Sequence, residues 1–237
     1  VKFVIQEQNI LIREMMILKT ELGKSSILDY IKKRQGEKGF QFPFAASAIS
    51  YHIRKETDYE YYLSVFVTDE NLITDYYDVF ERLGAKSVRF TMPSLSLFHY
   101  YQRMTEYDLS NTLLVTLYDR MISIDVIENN APVFSMIEDL EVSGDEFYET
   151  VENYVERIAN YYRYNLRKDS MTIYNALIFN VANRIEQDRF FEKMGLKLKS
   201  FITTIVDFST LDDSLSDIDK TTYVAYAANA EQNNDCI

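Results

Sequence analysis

Apolar positions in the first 85 residues change period in a repeating order, two strand-like runs and a helix-like run followed by the same again. VKFVI (1–5) and ILIREMMIL (10–18) alternate as half-buried strands do. GKSSILDYIKKRQGEKG (23–39) predicts a short helix, capped near Ser25 and stopped at Gly36 and Gly39. FQFPF (40–44), with Pro43, reads as a loop. AISYHIRKE (48–56) and YEYYLSVFVT (59–68) predict two strands around a polar turn at Glu56–Asp58. DENLITDYYDVFERLG (69–84) predicts a helix with Asp69 at the N-cap and Gly84 at its end. Leu72, Ile73, Tyr76, Val79, Phe80 and Leu83 fall on one face of it. The order is ββαββα, with the best internal boundary at Ala85–Ser87.

Beyond that boundary, KSVRFTM (86–92) predicts a strand, and Pro93 opens the helix PSLSLFHYYQRMT (93–105). After the loop EYDLSN, the run LLVTLYDRMISIDVI (113–127) reads as a hairpin bent at Tyr118, Asp119 and Arg120, and APVFSMI (131–137) adds a strand. The longest helix covers 143–168, with Phe147, Val151, Tyr154, Val155, Ile158, Tyr161 and Tyr162 on its apolar face. MTIYNALIF predicts a strand, NRIEQDRFFEKMG a helix closed by Gly195, and LKLKSFI another strand. DFSTLDDSLSDIDK reads as a solvated acidic loop, TTYVAYAANAEQ as a closing helix, and NNDCI as a fraying end. These elements describe a mixed α/β chain of two parts, 1–85 and 86–237.

Composition narrows the function. With 47% hydrophobic and 26% charged residues the chain is globular, and at 237 residues about 70% of the unfolded surface can be buried. Tyr (19) and Phe (15) are abundant and Trp is absent, so aromatics carry much of the core. A net charge of −12 argues against nucleic acid and against docking on anionic lipid headgroups. The single cysteine, Cys236, excludes an internal disulfide and suits a reducing compartment. No signal peptide or long apolar run is visible, so the expectation is a cytoplasmic protein. The chain opens on Val1 inside a strand pattern, which reads either as removal of a Met or as the C-terminal part of a longer protein.

Catalytic chemistry is scarce. His52 and His99 lie far apart on different elements, without convergent partners in sequence, and the one Cys is terminal, so no metal site or thiol nucleophile is predicted. The acidic stretch 207–220 has the Asp density of a calcium loop but lacks its central Gly and closing Glu. The six glycines are at 23, 36, 39, 84, 144 and 195, none adjacent to another. Phosphate cradles use glycine because the backbone itself must approach the ligand. GEKG (36–39) lacks the Lys-Ser/Thr continuation of a phosphate loop and follows a helix, so it reads as a helix stop.

Arg13 with its apolar strand, the SILDYIKKRQGEKGFQFPF helix and turn, the strand–helix–strand–helix passage from Tyr61 to Tyr101, the 113–137 hairpin and strand, the 174–201 strand, turn and helix, and the final helix follow one another in a familiar order. In that order and spacing the chain resembles the C-terminal three-quarters of PilM-type type IV pilus assembly proteins, actin-like relatives of the cell-division protein FtsA. The resemblance covers nearly all of 1–232. It implies a partial actin-like ATPase fold with an inserted ββαββα (SHS2-like) subdomain at 1–85 and a C-terminal actin-like domain at 86–237, the first actin-like subdomain being absent before Val1.

The departures from that family are specific. Where ATP-binding relatives carry Asp-x-Gly and a following Thr or Ser on the hairpin, this chain has Thr116, Tyr118 and Met121; where they carry Gly-Gly at the adenosine-side turn, it has Asn180 and Val181. A Cβ at either of the last two positions would crowd a nucleotide. The resemblance therefore implies a non-enzymatic scaffold without a cofactor. It would hold the cytoplasmic tail of a bitopic PilN-like protein in a pilus, competence or type II secretion platform, and an assembly motor ATPase as a further partner. The tail groove would lie between the missing first actin-like subdomain and the inserted subdomain, here roughly 14–85, with Arg13 as candidate contact or as a salt bridge at the subdomain junction, and an acidic surface would suit a basic tail. Two other readings stand beside it: an actin-like ATPase whose phosphate-binding subdomain is missing, and a division-type tethered scaffold. The second of these lacks support from AEQNNDCI, which forms no basic amphipathic anchor.

Overall fold

A computed structural model describes residues 2–38, 40–105, 111–183 and 185–230. The described residues divide after Thr91 into two compact units.

The first unit contains β1 (Lys2–Val4), β2 (Leu11–Leu18), a four-residue α1 (Lys19–Leu22), α2 (Ile27–Lys33), β3 (Ser47–Glu56), β4 (Glu60–Asp69), α3 (Glu70–Arg82) and β5 (Arg89–Thr91). β2, β4 and β3 form an antiparallel sheet in that order, and β1 pairs with β5 in parallel. One sheet face, with Met15, Ile17, Ile49, Leu63, Val65 and Val67, packs with Ile27, Tyr30 and Ile31 of α2 and with Phe40. The cap of α2 is Ser26, one residue later than expected, whose Oγ accepts the Asp29 N–H (3.1 Å). Asp69 caps α3 as expected, accepting the Asn71 N–H (2.9 Å). The apolar face of α3 is less covered than its periodicity suggests: Phe80 and Tyr76 pack on the Phe3 ring, but Val79 and Leu83 are exposed. Periodicity marks a face fit for burial without specifying what covers it. The strand expected at 86–92 is only the three residues that β1 pairs.

The second unit contains α4 (Pro93–Thr105), β6 (Asn111–Leu117), β7 (Met121–Glu128), β8 (Ala131–Asp139), α5 (Asp145–Tyr161), β9 (Asn175–Asn180), α6 (Gln187–Lys197), β10 (Ile202–Val206), α7 (Phe208–Leu211) and α8 (Tyr223–Ala230). The sheet runs β10-β9-β6-β7-β8, parallel across the first three strands and antiparallel across the last three. Both faces are buried, which explains the nearly unbroken apolar runs in β6 and β9. Leu113, Val115, Ile122 and Ile124 meet Val151 and Val155 of α5 and Phe190 of α6. On the other face the Phe179 ring lies between Tyr101 (5.9 Å) and Phe208 (5.1 Å). The β7–β8 turn holds Asn129 and Asn130 at φ +52° and +62°, the left-handed pair that a two-residue hairpin needs and that Asn tolerates. Beside this turn, Glu128 accepts from Arg167 (2.5 Å) and from the Tyr162 hydroxyl (3.0 Å), tying the hairpin to the single π turn (Tyr162–Leu166) that follows α5.

Three expectations are corrected here. Gly195 does not close α6; it sits inside the helix, which runs on to Lys197. The strand expected at 196–202 begins only at Ile202 and continues to Val206 alongside β9. The acidic stretch is not an unstructured loop. Asp207, Asp212 and Asp219 each accept the N–H two residues on, from Ser209, Ser214 and Thr221, and start α7 and two 3₁₀ turns. The repeated Asp-x-Ser/Thr spacing is thus a series of caps, and it lets Phe208 and Leu215 turn inward and become buried. The helix stop expected at Gly39, the loop expected at 106–110 and the end 231–237, with Cys236, lie outside the described residues.

Candidate functional site

The first unit carries an open groove of about 580 Å³. Its walls are the end of α2 (Lys32, Gln35, Gly36), the crossing segment from Gln41 to Ser47, and Glu70 at the start of α3. Gly36, at φ +94°, turns the chain out of the helix and donates its N–H to the Phe40 carbonyl (3.1 Å). Phe40 is buried, which anchors the crossing segment, while Phe42 and Phe44 line the groove. Two bonds hold the walls at fixed separation. Gln35 Nε2 donates to Ser47 Oγ (3.1 Å), and the Glu70 N–H donates to the Ala46 carbonyl (3.1 Å).

Arg13 projects from β2 onto the same segment. Its Nη1 donates to the Gln41 carbonyl (3.0 Å), and its guanidinium lies 5.8 Å from the centroid of the Phe42 ring. Arg13 therefore positions the groove wall. The sequence reading missed Lys32, Gln35, Phe42, Phe44 and Glu70, because FQFPF looked like a plain connection. The available signal was two aromatics flanking a proline directly after a helix stop.

The charge near the groove differs from expectation. Residues 1–91 hold 13 Lys and Arg against 13 Asp and Glu, while residues 92–237 hold 12 against 24. The whole surplus of −12 belongs to the second stretch, so the groove-bearing unit offers no acidic field to a basic tail. The groove lining contributes one cation, Lys32, and one anion, Glu70.

The five positions that the resemblance compares with nucleotide contacts, Thr116, Tyr118, Met121, Asn180 and Val181, lie at one end of the large sheet. Leu117 pairs with Asn180, and its carbonyl accepts the Val181 N–H (3.0 Å). Thr116 is fully buried between Ser123 and Phe179, and its hydroxyl has no hydrogen-bond partner among the described residues. The Tyr118 N–H donates to the Met121 carbonyl (2.9 Å) and closes the bend. Met121 opens β7 opposite Asp139. The Asn180 side chain clips its own loop, accepting from the Ala182 N–H (3.2 Å) and donating to the Ile185 carbonyl (3.2 Å); Val181 is 1% exposed. A buried neutral hydroxyl, an amide already committed to the loop and a buried valine do not fit a magnesium nucleotide.

The two histidines belong to different units. His52 is exposed on β3, and His99 on α4 touches the Phe98 ring. Among the described residues no group of three or more His, Cys, Asp or Glu could hold a metal, and no helix is long and apolar enough to cross a membrane.

No protein-family model matches this sequence, and no curated protein matches it. Among solved structures, the chain is similar to a chain of a PilM-PilN type IV pilus biogenesis complex, at 11% identity and a TM-score of 0.61, covering 96% of this chain and 78% of that one. It also matches a Bacteroides thetaiotaomicron protein with an actin-like ATPase fold and unknown function (15% identity, TM-score 0.42, 94% and 72% coverage). A further match is the cytoplasmic domain of EpsL, an inner membrane component of the Vibrio cholerae type II secretion system (8%, 0.43, 78% and 62%). The last two scores carry no argument. The first shows the fold: this mixed α/β chain, with its mixed sheets, shares the architecture of the pilus biogenesis protein it resembles.

Proposed function

We propose that this chain is a non-enzymatic cytoplasmic scaffold of a type IV pilus or related secretion platform, and that its groove captures the cytoplasmic tail of a PilN-like membrane partner. The observation that supports the reading most is the groove itself. It lies on the 14–85 subdomain that the resemblance makes one side of the tail groove, Phe42 and Phe44 line it, and Arg13 braces the Gln41–Phe42 segment from a separate strand. The fold likeness to a chain of a PilM-PilN complex supports the choice of partner. The side chains at Thr116, Asn180 and Val181 favour a scaffold over an ATPase.

The test is calorimetric titration of the chain with a synthetic PilN-type tail peptide, with MgATP as the parallel ligand. Saturable peptide binding without nucleotide is expected. Nucleotide binding together with turnover above background would replace this reading with the ATPase one, which has in its favour that the family's two nucleotide turns come together at the ends of the parallel strands β6 and β9.

A further inference from the structure

Lys32 and Glu70 are both exposed, both line the groove, and neither side chain makes an ion pair or hydrogen bond among the described residues. Other charges of the same unit are engaged: Arg34 pairs with Glu37 (2.8 Å), Arg54 with Glu14 (3.0 Å) and Lys19 with Glu56 (2.5 Å), while Arg13 is turned onto Gln41 and Phe42. The rest of the lining is uncharged and includes Phe42, Phe44, Ala45 and Ala46. Gly36, Ala45 and Ala46, also in the lining, present so little side chain that a main chain can approach there. Because residues 1–91 are charge-balanced, no net field of that stretch favours one sign of ligand, and local charges decide within a Debye length of about 8 Å.

We propose that the groove selects an extended segment of bipolar charge, with an acidic side chain set against Lys32, a basic one against Glu70, and small or apolar side chains between. This deepens the scaffold reading and rests on it. A uniformly basic segment gains at Glu70 what it loses at Lys32, and a uniformly acidic one does the reverse. A bipolar segment gains at both and is held in one chain direction.

The test uses the full chain and four fluorescein-labelled synthetic peptides with a shared core of alternating leucine and asparagine. Their ends are acidic then basic, basic then acidic, basic at both, or neutral. Fluorescence polarisation is expected to show one bipolar peptide binding about three- to tenfold more tightly than its reverse at low salt. High salt should erase that margin. Combining Lys32→Glu with Glu70→Lys should invert the preference. Lys32→Gln and Glu70→Gln introduce no new repulsion, and each should remove the discrimination at its own end. Equal binding of all four peptides, or a preference unmoved by the swap, overturns the charge selection while leaving the groove reading in place. If none of the four binds, and the PilN-type tail peptide also fails, both are overturned.

Discussion

Strand β6 of the large sheet is buried at six of its seven residues, whereas β3, at the edge of the three-stranded sheet, buries only Ser47 and Ile49. The charge divides along the same line. The stretch with the doubly covered sheet carries twice as many acidic as basic residues, and the stretch with the groove carries equal numbers. The acidic surplus therefore says nothing about what the groove binds. It sits on helices and caps that surround a packed core, such as Glu146, Glu149 and Glu156 of α5, where repulsion between copies favours solubility. The groove has to discriminate through shape and a few local charges.

The sharpest challenge to this contrast is a pair of truncations. Phe179→Ala, in a fully buried ring cluster, should cost about 3–5 kcal/mol in urea denaturation. Ile53→Ala on exposed β3 should stay within about 0.5–1 kcal/mol. Comparable losses from the two would erase the difference in packing. Next in size, Arg167→Ala takes the guanidinium partner from the largely buried Glu128, leaving the Tyr162 hydroxyl bond, and should cost about 2–4 kcal/mol by the same measurement. A loss below 0.5 kcal/mol, roughly that of an exposed pair, would mean that the clip beside the β7–β8 turn is ornamental.

A third comparison concerns pH. Burial, reinforced by the Glu128 charge and opposed by Arg167, pushes the Tyr162 hydroxyl up to about 12. Stability from the protonated hydroxyl is present below the ordinary tyrosine value near 10 and is lost as pH rises toward 12. Tyr162→Phe should therefore flatten the alkaline limb of a melting profile. At the acid end, bonds from the Ser214 and Tyr100 hydroxyls hold the Asp212 carboxyl well below the usual range. Its contribution is present above about pH 4 and fades as pH falls through the depressed value, so Asp212→Asn should flatten the acid limb. Both groups belong to the second unit, and neither change should alter peptide affinity at neutral pH.

Arg13→Ala should remove about 1 kcal/mol of stability and weaken tail-peptide binding several-fold through the loosened Gln41–Phe42 wall. Arg13→Lys should recover part of the affinity. Unchanged binding in Arg13→Ala, read by calorimetry, would remove Arg13 from the groove. The smallest expected effect is Tyr118→Gly, which should leave peptide binding unchanged and shift stability by about 0.5–1 kcal/mol, since the bend is already closed by its backbone bond to Met121. A large loss of binding with an intact circular dichroism spectrum would make the hairpin functional.

The sequence alone determined most of the elements, because periodicity, caps and proline positions are local. The helix at 93–105, the hairpin bent at Tyr118–Arg120 and the Asp69 cap all follow from neighbouring residues. Tertiary structure decided the rest. Gly195 remains helical where a sequence reading ends the helix, and the acidic stretch folds because three carboxylates find backbone N–H groups and two apolar side chains find the core. The groove depends on contacts far apart in the chain, Arg13 with Gln41 and Glu70 with Ala46, which no window of sequence contains. Net charge was countable from the first residue onward, but the structural boundary after Thr91 was needed to show that the surplus belongs to the other unit and not to the groove.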